Sequence, residues 1–255
     1  MSKVIVVFGA GTGLGVSVAR RFGREGFRVA LVARRKDRLD TLVAQLAGEG
    51  IEAAPFAADL ADPAQVPALV DAIRRHFGRI DVVEYGPISG DQSFTPATAL
   101  DAATLERLSR LFLLTPVEVV RAVLPEMTER GDGAILLTHG YSAVQPMPYL
   151  SGVGPVMSAA RNYLHSLNGE LAGTGVYAGT LAIAALIARS EAAEAAAAAQ
   201  ADAAAMPAEL PGGIEITIAD PDDLAEHYWD MYTRRDRVEQ IHPASLTPQA
   251  GATTA

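Results

Sequence analysis

The chain of 255 residues contains no cysteine. Disulfides, thiolate metal centres and cysteine nucleophiles are excluded, and a reducing cytoplasm is the expected location. Lysine is almost absent: Lys3 and Lys36 are the only two. No tyrosine is followed four residues later by a lysine anywhere in the chain. Positive charge is in deficit, with 21 Lys and Arg against 30 Asp and Glu and a formal net charge of -9. A nucleic-acid partner needs a basic face, so that class is not expected. No apolar run reaches the roughly 20 residues that cross a bilayer. "KVIVVFGAG" is short and breaks into glycine, so it reads as a buried strand rather than a leader, and no membrane partner is expected. There is no G-x-S-x-G elbow and no His/Asp/Glu set with metal-ligand spacing, so neither a hydrolase triad nor a metal site is expected.

What is present is an alternation. Hydrophobic residues make up 49% of the chain, enough for one sizeable core. Apolar, β-branched runs at 4–8, 28–33, 51–60, 80–85, 134–139 and 176–184 alternate with amphipathic helical stretches, including long ones over 101–129 and 154–172. Unbroken apolar strands are buried on both faces, as in parallel sheets. Strand–helix alternation predicts an α/β fold, a doubly wound parallel sheet with helices on both faces. A single domain over 1–245 is expected, with "DPDDLAEHYWDMYTRRDR" as a late helix and "VEQI" as a short final strand. The Ala-rich stretch within 190–213 reads either as a surface helix or as a lid over a pocket. Residues 246–255 read as a disordered tail.

"FGAGTGLG" lies between the first strand and the first helix. A helix N-terminus presents free N–H groups and a positive dipole end, which suits a pyrophosphate. Gly9, Gly11, Thr12, Gly13, Leu14 and Gly15 are the expected contacts; the plainer reading is a tight turn without a ligand. At the end of the second strand, where an acid would grip the ribose of NAD, the chain has Ala33 followed by Arg34 and Arg35. Arginine can bind a 2′-phosphate through charge-assisted bonds, so NADP(H) is favoured over NAD(H). The alternative is a solvated basic helix start. Asp59, at the third strand's end beside Leu60, is placed to accept from an adenine amino group.

Together "GAGTGLG", "ARRKDRL", "AADLAD", "VLPEM", "GAILLTH" and "ARNYLHSLNGELAGTGV" resemble the short-chain dehydrogenase/reductase family. The resemblance runs from about Lys3 to Ala188. It implies a Rossmann domain with about seven parallel strands, a homodimer or homotetramer, a small-molecule substrate, and hydride transfer with NAD(P)(H). It also implies an Asn-Ser-Tyr-Lys set in which the tyrosine handles the proton and the lysine lowers its pKa. Counted along these motifs, the four positions fall on Phe112, Gly140, Val153 and Met157. The family's "NNAG" is replaced by "VEYGPISG", which would put Glu84 or Tyr85 near the cofactor ribose. The backbone near Leu186 or Ile187 would meet the carboxamide.

Polar residues remain around those positions. His139 ends the fifth strand and can serve as acid or base, since its pKa ordinarily lies near neutrality; a structural histidine is the alternative. Tyr149 and Ser142 could donate to a substrate oxygen, or be a packed aromatic and a turn residue. His76, His227 and His242 read as surface residues. The leading expectation is an NADP(H)-dependent oxidoreductase with a non-standard proton donor. The alternatives are a non-redox cyclase, isomerase or dehydratase, a cofactor-binding sensor, or an inactive partner subunit.

Overall fold

The computed structural model describes residues 2–88, 94–194, 197, 209–210, 214–215 and 217–246. Strands β1 (Val4–Phe8), β2 (Arg28–Ala33), β3 (Ala53–Ala57), β4 (Val82–Tyr85), β5 (Gly133–Gly140) and β6 (Val176–Ile183) follow the apolar runs of the sequence. Two short pairs follow: β7 (Leu186–Ile187) beside β10 (Ile218–Ala219), and β8 (Glu209–Leu210) beside β9 (Ile214–Glu215). The last strand is β11 (Glu239–His242). The main sheet has seven strands in the order β11-β6-β5-β4-β1-β2-β3, all parallel. β1, β4 and β6 are buried throughout, as a sheet covered on both faces requires.

Helices α1 (Leu14–Arg24), α2 (Lys36–Gly48) and α7 (Pro221–Arg234) cover one face; α3 (Val66–Phe77), α5 (Thr115–Arg130) and α6 (Val153–Glu170) cover the other. Alternate β-strand residues divide between these two cores: Val6 and Ile135 face α3, α5 and α6, whereas Val7 and Leu136 face α1, α2 and α7. β1 lies between β2 and β4. The chain order reverses there, and the crevice beyond the carboxyl ends of β1 and β4 is where ligands bind in open α/β sheets.

The single helix expected over 101–129 is divided. α4 (Ala102–Ser109) ends in a π-helical turn, Arg110–Leu114, before α5 begins. Pro116 has no N–H to return to the Phe112 carbonyl, so the ladder cannot continue in α register. Thr115 N–H reaches back five residues to Arg110 instead. Most of the Ala-rich stretch within 190–213, and the tail after Leu246, lie outside the described residues.

Candidate functional site

The chain leaves β1 through Gly9, whose φ is +92°. A Cβ at Gly9 would stand 2.4 Å from the Pro87 Cα, so only glycine lets the chain pass under the segment leaving β4. The Gly9 and Ala10 N–H groups both donate to the Val32 carbonyl, at 2.8 and 2.9 Å. Behind this turn α1 starts at Leu14 with Gly13 as its cap, which makes no side-chain cap bond, and the Val16 N–H donates to the Gly11 carbonyl at 3.0 Å. The Leu14 and Gly15 N–H groups ahead of it have no intrahelical partner, and the positive end of the dipole faces the crevice. Gly15 packs on Ala10, where a Cβ would come within 2.8 Å of the Ala10 Cα. A pyrophosphate fits a cradle of this kind. Gly11 is half-buried and Thr12 exposed; the Thr12 hydroxyl donates to the Arg189 carbonyl at 2.7 Å.

Arg34 and Arg35 are both exposed at the end of β2. Arg35 caps α2, and Arg38 lies one turn further on. Both guanidiniums bind the same carboxylate, that of Glu191. Asp59 is exposed beyond β3 and accepts the Ala61 N–H at 3.0 Å. Leu60 turns into the core and its carbonyl accepts from the Thr115 hydroxyl, so its side chain is no cofactor contact. Ile187 pairs with Ala219, and its carbonyl accepts from the Ser190 hydroxyl at 2.6 Å.

The four positions assigned by resemblance come together. Phe112 and Met157 are buried in one apolar cluster with Leu108, Ala143 and Val156, and Val153 packs against it. Phe112 reaches it from the π-helical turn, Val153 and Met157 from the first turns of α6. Gly140 joins through its backbone, its N–H directed at the Met157 Sδ at 3.4 Å. Neither lysine is near. Lys3 is bonded to Asp132 and Tyr232 at the opposite end of β1, and Lys36 to Asp40 on α2.

Among the polar candidates the geometry separates Ser142 from the rest. It is buried in the turn Tyr141–Ala143 after β5. Its Oγ lies 3.6 Å from where a Gly140 Cβ would stand and 3.8 Å from the Gly154 Cβ position. Its hydroxyl thus lies between the vacant serine position and the mouth of α6. Tyr149 is exposed, at φ +65°.

His139 departs from expectation. Its side chain turns toward α6 and β11 and is buried. Nδ1 donates to the Gly140 carbonyl at 3.2 Å, while Nε2 stops 3.9 Å from Glu239 Oε1 and has no hydrogen-bond partner. Burial pushes its pKa down to about 4, against the opposing pull of the Gly140 carbonyl and Glu239. It is a neutral side chain at physiological pH, not an acid–base group poised near 7. Arg161 holds Glu239 in a fork at 2.5 and 2.7 Å.

Two further expectations are corrected at β4. Tyr85 is buried on the α5 side and its hydroxyl donates to the Leu111 carbonyl at 2.5 Å, so that hydroxyl is no ribose contact. Glu84 is fully buried on the other face and accepts from the Thr138 hydroxyl at 2.7 Å; Thr138 in turn meets the Tyr228 hydroxyl at 2.5 Å. Burial raises the Glu84 pKa to about 8, with the Thr138 bond opposing it. The β4 residues alternate between the two cores, and so short a strand carries no sequence sign of which face each residue takes. His227 and His242 are not surface residues either: His227 Nε2 lies 3.1 Å from His242 Nδ1, both rings being half-buried.

Sequence reasoning missed Arg38 and Glu191. The Arg35/Arg38 spacing was a usable signal, because residues three apart share a helix face. Glu191 had none, since its partners lie more than 150 residues away.

Among the described residues no helix is long and apolar enough to cross a membrane, and no cluster could hold a metal ion. A short chain dehydrogenase family model matches residues 3–209. A short chain dehydrogenase of Pseudocercospora fijiensis is 29% identical over 181 residues, 68% of this chain and 56% of that protein. The chain spans about half the length of the first curated relatives it matches, 46% to 56%. Among solved structures, a short-chain dehydrogenase from Sphingobium yanoikuyae in complex with NADPH is 28% identical, with a TM-score of 0.76 over 95% of this chain and 88% of that one. An NAD+-bound xylitol dehydrogenase is 25% identical, with a TM-score of 0.65 over 71% and 69%.

Proposed function

The chain belongs to the short chain dehydrogenase family, and from that premise we propose that it is an NADP(H)-dependent oxidoreductase that handles its proton without the usual tyrosine–lysine pair. The observation that carries the reading is the glycine-lined start of α1, where no capping side chain stands and Gly9 and Gly15 let the backbone turn against Pro87 and Ala10. The preference for NADP(H) rests on Arg35 and Arg38, whose guanidiniums converge on one anionic group while the β2 end carries Ala33 in place of an acid. Replacing Arg35 or Arg38 with Ala raises the NADPH dissociation constant about tenfold, the loss of one charge-assisted pair. NADH binding changes by less than about twofold. Calorimetric titration checks both.

When bound, the cofactor supplies a hydride to an activated C=C, C=N or C=O bond of a small molecule. The chain's part is to orient and to exclude water. Ser142 donates to the substrate oxygen or nitrogen beside Gly140. Tyr149, or water at its loop, delivers the proton. Phe112, Val153 and Met157 form a dry apolar wall. Ser142→Ala lowers kcat/KM about tenfold with NADPH affinity unchanged, the effect of one lost donor. The experiment is NADPH oxidation against ketones, imines and enones. A second reading is favoured by the closed apolar cluster at the four reactive positions: a non-redox, cofactor-binding descendant. NADPH binding without turnover of any of these classes selects it.

A further inference from the structure

The start of α2 is electrostatically awkward on its own. Arg34, Arg35, Lys36 and Arg38 gather at the positive end of a helix dipole with Asp37 as the one acid of the first turn, and among the described residues the local ion pair is Lys36 with Asp40. Arg35 at the cap and Arg38 one turn on share a face. An anion is needed there, and the chain supplies one from far away. Arg35 Nη2 and Arg38 Nη1 both meet a single atom, Glu191 Oε1.

Glu191 is carried on a tied segment. The Thr12 hydroxyl donates to the Arg189 carbonyl, and Ser190 lies against Gly13, where a Cβ would come within 3.0 Å of the Ser190 Cβ. Arg189, at φ +60°, is anchored by Asp220 and Asp222, each at 2.8 Å. Ser190 caps the short turn that follows, accepting the Ala193 N–H at 3.1 Å. One stretch, Arg189–Glu191, thus lies across the glycine turn and on the cationic corner together.

We propose that Glu191 is a built-in stand-in for the 2′-phosphate of NADP(H), holding the Arg35–Arg38 pair until the coenzyme displaces it. The inference rests on the NADP(H) reading above. A phosphate monoester carries more charge and more acceptor oxygens than a carboxylate, so it wins the exchange. NAD(H) has no such group and leaves Glu191 in place. The side chains of Arg35, Arg38 and Glu191 are each about half exposed, so the carboxylate is a weak competitor that can be dislodged.

The test is calorimetric titration of Glu191→Gln with NADPH and with NADH, beside the Arg35→Ala/Arg38→Ala double variant. The expected result is an NADPH dissociation constant about three- to fivefold lower for Glu191→Gln at low salt, fading toward parity at high salt. NADH affinity stays as in the parent. Unchanged or weaker NADPH binding by Glu191→Gln overturns the proposal, and so does an equal gain for both coenzymes. If the double arginine variant loses NADPH affinity in that same experiment, the cofactor reading survives the failure. If the double variant binds NADPH like the parent, the arginines are not the 2′-phosphate site and both readings fall together.

Discussion

Met157→Lys destabilises the folded protein by on the order of 3 kcal/mol at pH 7, measured by urea unfolding. Met157 is buried among Leu108, Phe112, Ala143 and Val156, and its sulfur faces the Gly140 N–H. An ammonium there loses its water among these apolar side chains. The substitution also removes the weak acceptor of the Gly140 N–H. Desolvation lowers a buried lysine's pKa, so the unfolded variant holds a proton that the folded one sheds. The deficit relative to the parent therefore shrinks as pH rises toward about 10, the ordinary lysine value. Met157→Leu, close in volume and apolar, costs less than about 1.5 kcal/mol. Parent-like stability of Met157→Lys would mean that this wall is open to water and that the site resembles its family's more than the packing indicates.

Glu84→Gln has an effect of similar size and opposite sign. The Glu84 carboxyl ordinarily titrates at 4.5, and burial raises it to about 8 in the folded state. Folded protein therefore holds a proton that the unfolded chain releases. The stability this contributes is complete below pH 4.5 and is lost as pH rises toward 8. At pH 7 the native carboxyl is uncharged only at a cost on the order of 3 kcal/mol, at about 1.4 kcal/mol per pKa unit. Glutamine keeps a carbonyl for the Thr138 hydroxyl and has no such cost. Glu84→Gln is thus more stable than the parent above pH 5, by a margin that grows up to about pH 8. A margin independent of pH would show that Glu84 is ionised in the native state.

His139 adds the acid side of the same profile. Its pKa falls from 6.5 to about 4 on folding, so the unfolded chain binds the extra proton in that window. Its contribution is present above pH 6.5 and lost as pH falls toward 4. Between 4.5 and 6.5 the two groups cancel, one proton held by Glu84 in the native state against one held by His139 in the unfolded. For these two groups, stability is level across that window and declines on both sides. Chemical unfolding from pH 4 to 8.5 checks the shape, and His139→Gln flattens its acid limb.

Most of the architecture was legible because it rests on local pattern. Unbroken runs such as "VIVVF" and "VYAGTLAI" specify strands buried on both faces, and Gly9 and Gly15 of "GAGTGLG" stand where a Cβ would collide with neighbouring backbone. The π-helical turn at Phe112 was not legible, since it depends on what a proline four positions beyond the expected reactive site denies to the backbone. Side-chain direction at strand ends was also hidden. His139 and Tyr85 sit at the anticipated strand ends yet point into α5/α6 packing. Pairings across more than 150 residues, such as Arg38 with Glu191, leave no periodicity to read.

The most direct test of the whole account is calorimetric titration of the protein with NADPH and NADH at low salt. Saturable binding of one NADPH per chain, tighter than NADH, is the predicted result. No heat of binding from either coenzyme at millimolar concentration would contradict it.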